Sequence, residues 1–207
     1  MQPHTLNFSD HRRELGENRY VYAVVSRRAG GLSIGINLNP DKVCNFDCPY
    51  CQVDRTVPGS DAPINLGALL LEINHILQLA DRGELWTTPP FDTAAIEHRR
   101  VVDIAFAGDG EPTTPAEFFE ATRVTKVFRD KWVPDVPIRL LTNATMLHRP
   151  RVRNGLRYID EVWCKLDAGT AKYFAIVDGT KFSFKRILAN LAELAAIRPI
   201  VIQSMFH

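Results

Sequence analysis

Hydrophobic and polar positions along this chain switch between a period of two and a helical period. Residues 20–26 (YVYAVVS) are aromatic and β-branched and predict a short strand. Arg27-Arg28-Ala29-Gly30-Gly31 reads as a turn. Residues 32–38 then alternate cleanly, Leu32, Ile34, Ile36 and Leu38 against Ser33, Gly35 and Asn37, which predicts a second strand. A helix is expected over 66–80, with Leu69, Leu70, Ile73, Ile76, Leu77 and Ala80 on one face and Gly83 ending it. Residues 86–98, with Pro89-Pro90, read as a loop long enough to be a lid or insertion. Residues 101–107 (VVDIAFA) are mostly apolar, as in a strand covered on both faces of a parallel sheet.

The second half continues the alternation. Thr114 is placed to cap a helix, with Pro115 at its first position and Glu117 three residues after the cap. That helix is expected to run to about Trp132, with Pro134 closing it. Further strands are expected at 138–142, ending in Asn143, at 161–167 (EVWCKLD) and at 199–206 (PIVIQSMF). Between them lie a basic segment, 148–157, and a helix capped by Ser183 that carries Phe184, Ile187, Leu188, Leu191 and Leu194. Strands alternating with helices predict βαβ units and a parallel sheet. In such folds, chemistry collects at the carboxyl ends of the strands. The strand ends here carry a cysteine loop, a Gly-Asp-Gly-Glu turn, Asn143, Asp167 and Gln203-Ser204.

Composition narrows the class. The 207 residues suffice for one sizeable domain, and the polar residues 1–19 read as a lead-in to a domain over 20–207. A net charge of +1 gives no global argument for nucleic acid or a membrane. The amino terminus shows no secretory pattern, and no apolar run approaches the roughly 18 residues of a membrane span. Four cysteines are badly spaced for two disulfides, since three crowd into positions 44–51 and Cys164 stands alone. They read as metal ligands in a reducing cytoplasm.

Cys44, Cys48 and Cys51 follow C-x3-C-x2-C spacing on one loop. Soft thiolates select iron–sulfur clusters, zinc or Cu(I). A four-iron cubane takes four protein ligands, so three cysteines leave one iron open. Structural zinc sites pair C-x2-C with a second pair at a distance, and this chain has none. Plant-type ferredoxin spacing begins C-x4-C and also differs. Gly-Asp-Gly-Glu alone is an ordinary turn; one strand after the cysteine triplet it gains meaning. On a strand alternate residues share a face, so Lys165 and Asp167 would point one way and Cys164 the other, as a buried structural thiol. The alternative for Lys165 is a structural ion pair, and for Asn143 a turn or cap. Arg149, Arg151, Arg153 and Arg157 could touch RNA phosphates, but such a run more often forms a solvated helix face. His75 reads as a helix-face residue and Phe118-Phe119 as core.

These motifs together resemble the radical S-adenosylmethionine (radical SAM) superfamily. C-x3-C-x2-C with Tyr50 just before the third cysteine is similar to its cluster motif, and GDGEPT to the motif that holds the methionine end of the cofactor. SRRAGGLSIGINLNPDKVCNFDCPYCQVDR, GDGEPT, LLTNAT and VWCKLDAG look like the Fe–S oxidoreductases related to tRNA wybutosine-synthesising enzymes, over roughly residues 20–206. The resemblance implies an α/β fold, a partial parallel (β/α)6-type barrel cut short after the fifth barrel strand. It implies a [4Fe–4S] cluster on Cys44, Cys48 and Cys51, with S-adenosylmethionine chelated to the open iron. Reductive cleavage would give methionine and a 5′-deoxyadenosyl radical that takes hydrogen from a substrate, such as a modified tRNA base. Gly108, Gly110 and Glu111 would hold the methionine ammonium, and Tyr50 would lie by the adenine. Asn143 and Asp167 would bond the ribose or the methionine end, and Gln203 and Ser204 would complete the mouth. Lys165 would pair with the cofactor carboxylate or a substrate anion and is the candidate catalytic residue. A flavodoxin- or ferredoxin-like donor would supply electrons. With only Cys164 left over, a second cysteine-bound cluster is not expected. A glycyl-radical-enzyme activase shares the size and both motifs. From another class, a non-catalytic iron–sulfur or zinc binding module remains the competing reading.

Overall fold

A computed structural model describes residues 15–26, 30–60 and 62–205. Most of the expected lead-in, positions 27–29 of the expected first turn, and Phe206 of the last expected strand lie outside the described residues. One six-stranded sheet runs in sequence order: β1 (Val21–Ser26), β2 (Gly31–Ile36), β3 (Val101–Phe106), β4 (Ile138–Thr142), β5 (Glu161–Lys165) and β6 (Val201–Gln203). β1 pairs antiparallel with β2, and every later pairing is parallel. The helices are α1 (Leu66–Asp81), α2 (Phe118–Trp132), α3 (Pro150–Gly155), α4 (Ala171–Val177) and α5 (Phe184–Ala195). The α/β class and the succession of five parallel strands match the sequence-based expectation. Among the described residues, no helix is long and apolar enough to cross a membrane.

Strand alternation sorts the sheet into two faces. Ile34, Ile36, Ile104, Phe106, Ile138, Leu140, Val162 and Cys164 are buried, as are Leu69, Ile73 and Leu77 of α1, Phe118 and Ala121 of α2, and Ile187 and Leu191 of α5; all belong to one hydrophobic core. Phe118 meets Phe106 edge-on at 6.1 Å, so it is core, as expected. The opposite positions, Asp103, Ala105, Arg139, Leu141 and Trp163, line a concave space of about 750 Å³ together with Tyr22 and Gln203. Asp103, Arg139 and Glu161 form an ion row across three strands, with Arg139 Nε 2.9 Å from Glu161 and its Nη1 on Asp103.

Helix α1 is started by Asn65, whose side chain accepts from Ala68 N, and is followed by Gly83 at φ 70°. Its Glu72 accepts from the backbone N–H of Arg19, Tyr20 and Val21, at 2.9–3.0 Å, and so anchors the start of β1. The 86–98 stretch is packed structure rather than a bare loop. Short 3-10 turns at Glu84–Thr87, Phe91–Thr93 and Ile96–His98 bury Leu85, Phe91 and Ala94.

Two elements depart most from the periodicity, and one helix was not expected. Helix α2 starts at Phe118 behind Glu117, with no side-chain cap. Thr114 instead closes the turn after β3: its hydroxyl donates to Glu111 O at 2.7 Å and accepts from Asn39 Nδ2. β6 keeps only three residues because Pro199 has no N–H and the following groups bond elsewhere. Ser204 Oγ donates to Leu166 O at 2.6 Å, and Met205 N donates to the Asp167 carboxylate at 2.7 Å. Helix α4 has only seven residues, too few for a legible period, and is capped by Thr170.

Gly35 faces Tyr22 across β1 and β2, and a Cβ there would lie 2.1 Å from the tyrosine ring. Gly35→Ala therefore overpacks the pair and should cost roughly 1–3 kcal/mol in urea unfolding. The same change in a Tyr22→Ala background should cost less. Equal costs in both backgrounds would remove the ring as the cause.

Candidate active site

The cysteine loop leaves β2 and is held from two sides. On one side, Asn37 is buried; its Oδ1 accepts from Asn39 N and Asp109 N, and its Nδ2 donates to Asp109 at 2.7 Å. The Gly-Asp-Gly-Glu turn is thereby locked to the stem of the loop. A Cβ at Gly108 would lie 2.2 Å from Asn37 Oδ1, and one at Gly110 would lie 2.1 Å from Val43 O. These glycines are required first for packing of protein on protein. On the other side, Asp47 N donates to Asp178 O at 3.1 Å, and Thr180 Oγ1 donates to Asn45 O. Gly179 has φ 55°, and a Cβ there would lie 2.1 Å from Asp47 O. Phe174 of α4 packs edge-on against Phe46 at 5.6 Å.

Glu111 sits at the end of this turn with 3% exposure. Its Oε1 accepts from Thr113 N, the Thr113 hydroxyl and, at 2.6 Å, Thr142 Oγ1; its Oε2 accepts from Asn143 N at 2.7 Å. Burial raises its pKa, and these donors pull the other way. Asn143 is likewise occupied: Nδ2 donates to Asn45 Oδ1 at 2.6 Å, and Oδ1 accepts from Thr145 N and Oγ1. Glu111 and Asn143 therefore join the ends of β3 and β4 to each other and to the cysteine loop.

Lys165 is the hub on the far wall. Its Nζ is paired with Asp178 Oδ1, lies 3.1 Å from Asp167 Oδ2 and donates to Cys48 Sγ at 3.1 Å. It also lies 5.0 Å and 5.1 Å from the ring centres of Phe46 and Tyr50. Burial works against its charge, but the bonds to Asp178, Tyr50 and Cys48 outweigh it and hold the ammonium above its usual range. The Tyr50 hydroxyl donates to Asp167, so its ring is fixed beside the lysine.

One cavity of about 360 Å³ gathers most of the predicted residues: Cys44, Cys48, Tyr50, Cys51, Gly110, Glu111, Asn143, Lys165, Asp167 and Gln203. Its size falls within the range of small-molecule sites, roughly 300–1,000 Å³. Gly108 and Ser204 stand outside its lining; Gly108 packs on Asn37, and Ser204 bonds Leu166 O. The expected basic face is broken up as well. Arg151 donates to Thr114 O and Pro115 O, and Arg153 to Leu147 O and Glu193. No disulfide joins any two of the four cysteines, all of which lie among the described residues.

Among the described residues, no three His, Cys, Asp or Glu side chains are drawn together tightly enough to hold a metal ion. The donor set nevertheless fits a cysteine-bound cluster in kind. Three soft sulfurs share one cavity wall, and cations stand against two of them: Lys165 at Cys48 and Arg55 Nη1 at Cys51, 3.2 Å. Burial pushes the Cys44 thiol up; burial does the same to Cys48, with Lys165 pulling it back. Neither Asp178 nor Arg55 is singled out by the sequence reading, although Arg55 closes the stretch that carries the cysteine motif. Asp178 is placed by the turn after α4 and Arg55 by its bonds to Lys42 O and Asp109 O. For Asp178 the only local signal is Gly179 beside it.

No family model matches the sequence. A Brachyspira hyodysenteriae protein named GTPase Obg is 26% identical over 201 residues, which cover 95% of this chain and 26% of that one. The match takes in about a quarter of that protein, so its name is not carried over to this chain. A UPF0026 protein of Methanocaldococcus jannaschii is 29% identical over 148 residues, 72% of this chain and 40% of its own. The chain thus spans less than half the length of these relatives. Among solved structures, TYW1 with a lysine–pyruvate adduct bound superposes with a TM-score of 0.54 at 16% identity, over 83% of this chain and 54% of that one. The fold is shared with a radical SAM enzyme.

Cys164 lies on the face of β5 away from the cavity and is fully buried. Burial, with the Glu111 carboxylate nearby, pushes its pKa up to about 12. At pH 8 it is therefore a neutral thiol. Alkylation of the folded, cluster-free protein followed by mass spectrometry should label Cys44, Cys48 and Cys51 and spare Cys164 until denaturant is added. Native labelling of Cys164 at the rate of Cys51 would contradict its placement.

Proposed function

We propose that the chain is the catalytic core of a radical SAM enzyme, with a [4Fe–4S] cluster on Cys44, Cys48 and Cys51 and S-adenosylmethionine in the adjoining cavity. One observation carries the reading. The three cysteines line the same cavity as Glu111, Asn143, Lys165 and Asp167, at the carboxyl ends of parallel strands. Held by Cys44, Cys48 and Cys51, such a cluster would supply the electron for reductive cleavage of S-adenosylmethionine and hence for hydrogen abstraction from the substrate.

The protein's own residues bind, orient and exclude water. Cys44, Cys48 and Cys51 supply the three protein ligands. Gly110 and Glu111 set the wall on which the methionine end rests, with Glu111 fixing the ends of β3 and β4 beneath it. Asp167 holds Tyr50 and Lys165 in place, and Tyr50 offers a ring face for the adenine. Gln203 and Trp163 lie on the side where the cavity meets the larger concave space. TYW1 has a lysine–pyruvate adduct. Lys165 here has its ammonium fixed by Asp178, Asp167 and Cys48, so we assign it to holding charge rather than to covalent attack. The motif resemblance to the tRNA wybutosine-synthesising branch makes a modified tRNA base the substrate of this reading, and a flavodoxin- or ferredoxin-like protein as electron donor completes the scheme. Three cysteines clustered as metal ligands suit a reducing compartment such as the cytoplasm. No observation favours a glycyl-radical activase or a non-catalytic iron–sulfur or zinc module.

The test is anaerobic. Protein reconstituted with iron and sulfide, reduced with dithionite and given S-adenosylmethionine should yield 5′-deoxyadenosine and methionine by mass spectrometry. Cys48→Ala should lose cluster iron and sulfide and both products. Tightly bound zinc in place of iron and sulfide, or full iron and sulfide in Cys48→Ala, would overturn the assignment.

A further inference from the structure

Two of the three cluster cysteines have a cation seated against the sulfur, and the two arrive from opposite sides. Lys165 Nζ, from β5, is 3.1 Å from Cys48 Sγ. Arg55 Nη1, four residues beyond the loop, is 3.2 Å from Cys51 Sγ. Neither cation is there by way of the sulfur alone. Lys165 is held by Asp178, which is 1% exposed, and by Asp167, 4% exposed in its side chain. Arg55 is held by two carbonyls, Nε to Lys42 O and Nη2 to Asp109 O, each at 3.2 Å. Swinging either cation away breaks bonds to groups that have no part in metal binding.

The anchors are built into the loop's own supports. Asp178 presents its backbone carbonyl to Asp47 N and its carboxylate to Lys165, so one residue fixes both the cysteine loop and the cation against it. Asp109, whose carbonyl takes Arg55, belongs to the turn that Asn37 locks to the loop stem. The cation–sulfur distances are therefore set by the fold and not by side-chain chance.

We infer that Lys165 and Arg55 are positioning residues that raise the reduction potential of the cluster on Cys44, Cys48 and Cys51. The inference rests on the cluster assignment made above. Reduction adds one electron to a site already made negative by three thiolates. A fixed cation donating to a ligand sulfur stabilises the more negative, reduced form, and net charge and hydrogen bonds to the sulfurs are among the terms that set such potentials. The arrangement lets a mild one-electron donor load the cluster.

The experiment is a redox titration followed by electron paramagnetic resonance on anaerobically reconstituted protein, with dithionite as reductant. Iron and sulfide are counted first. Lys165→Met and Arg55→Met should each lower the midpoint potential, and the double variant should lower it further. Lys165→Arg and Arg55→Lys, which keep the charge, should stay near the wild type. If Lys165→Met does not load, Arg55→Met on the outer side of the loop decides the question. Unchanged potentials in fully loaded Met variants overturn the inference, and so does an equal fall in the charge-retaining variants. If the wild type takes up no iron and sulfide, the cluster assignment fails at the counting step and this inference falls with it.

Discussion

A carboxylate buried among neutral donors holds the upper end of this sheet together. Glu111 accepts from Thr113, Thr142 and Asn143, and no cation is among these partners. Taking a carboxylate out of water is costly unless its oxygens are hydrogen-bonded, and two of these donors are backbone N–H groups that the strand ends fix in place. The constraint is general to parallel sheets. Each strand returns through a helix, so the loops at the carboxyl ends have no covalent link to their neighbours. A site made from those loops needs ties across them. Here the ties run from Asn37 to Asp109, from Glu111 to Asn143, from Asn143 to Asn45, and from Asp47 to Asp178. The cysteine loop is thereby held from both sides by bonds that depend on one another.

Most of the frame was readable in the sequence. Alternation over 32–38 and the apolar run over 101–107 mark β2 and β3 to within about two residues, because burial leaves its trace in the residue pattern. The cysteine triplet and the Gly-Asp-Gly-Glu turn were legible because each is contiguous and lies at a strand end. Asp178 and Arg55 were not. Asp178 meets Cys48 across 130 positions of sequence, and no local pattern encodes such a meeting. Thr114 misled for a related reason: a side chain able to cap a helix is equally able to close a turn, and Asn39, 75 residues away, helps decide which. The length of β6 was hidden because apolar composition says nothing of where Ser204 and Met205 send their donors.

The concave face of the sheet is unlike the opposite face. Its Asp103–Arg139–Glu161 row, with Trp163 Nε1 donating to Glu161, is a polar network on a surface that no helix among the described residues covers. Leu141, Trp163 and Gln203 border both this space and the smaller cavity by the cysteines. The two spaces adjoin along these residues, one with an ion row on its wall and the other with the cysteine sulfurs.

The last strand carries a consequence of a different kind. β6 has three residues, and Val201 and Ile202 are 41% and 45% exposed. A strand edge offers a row of peptide groups to any other strand that comes by. Among the described residues β6 pairs with β5 on one side only, so Val201 and Ile202 mark the place where this sheet can be continued.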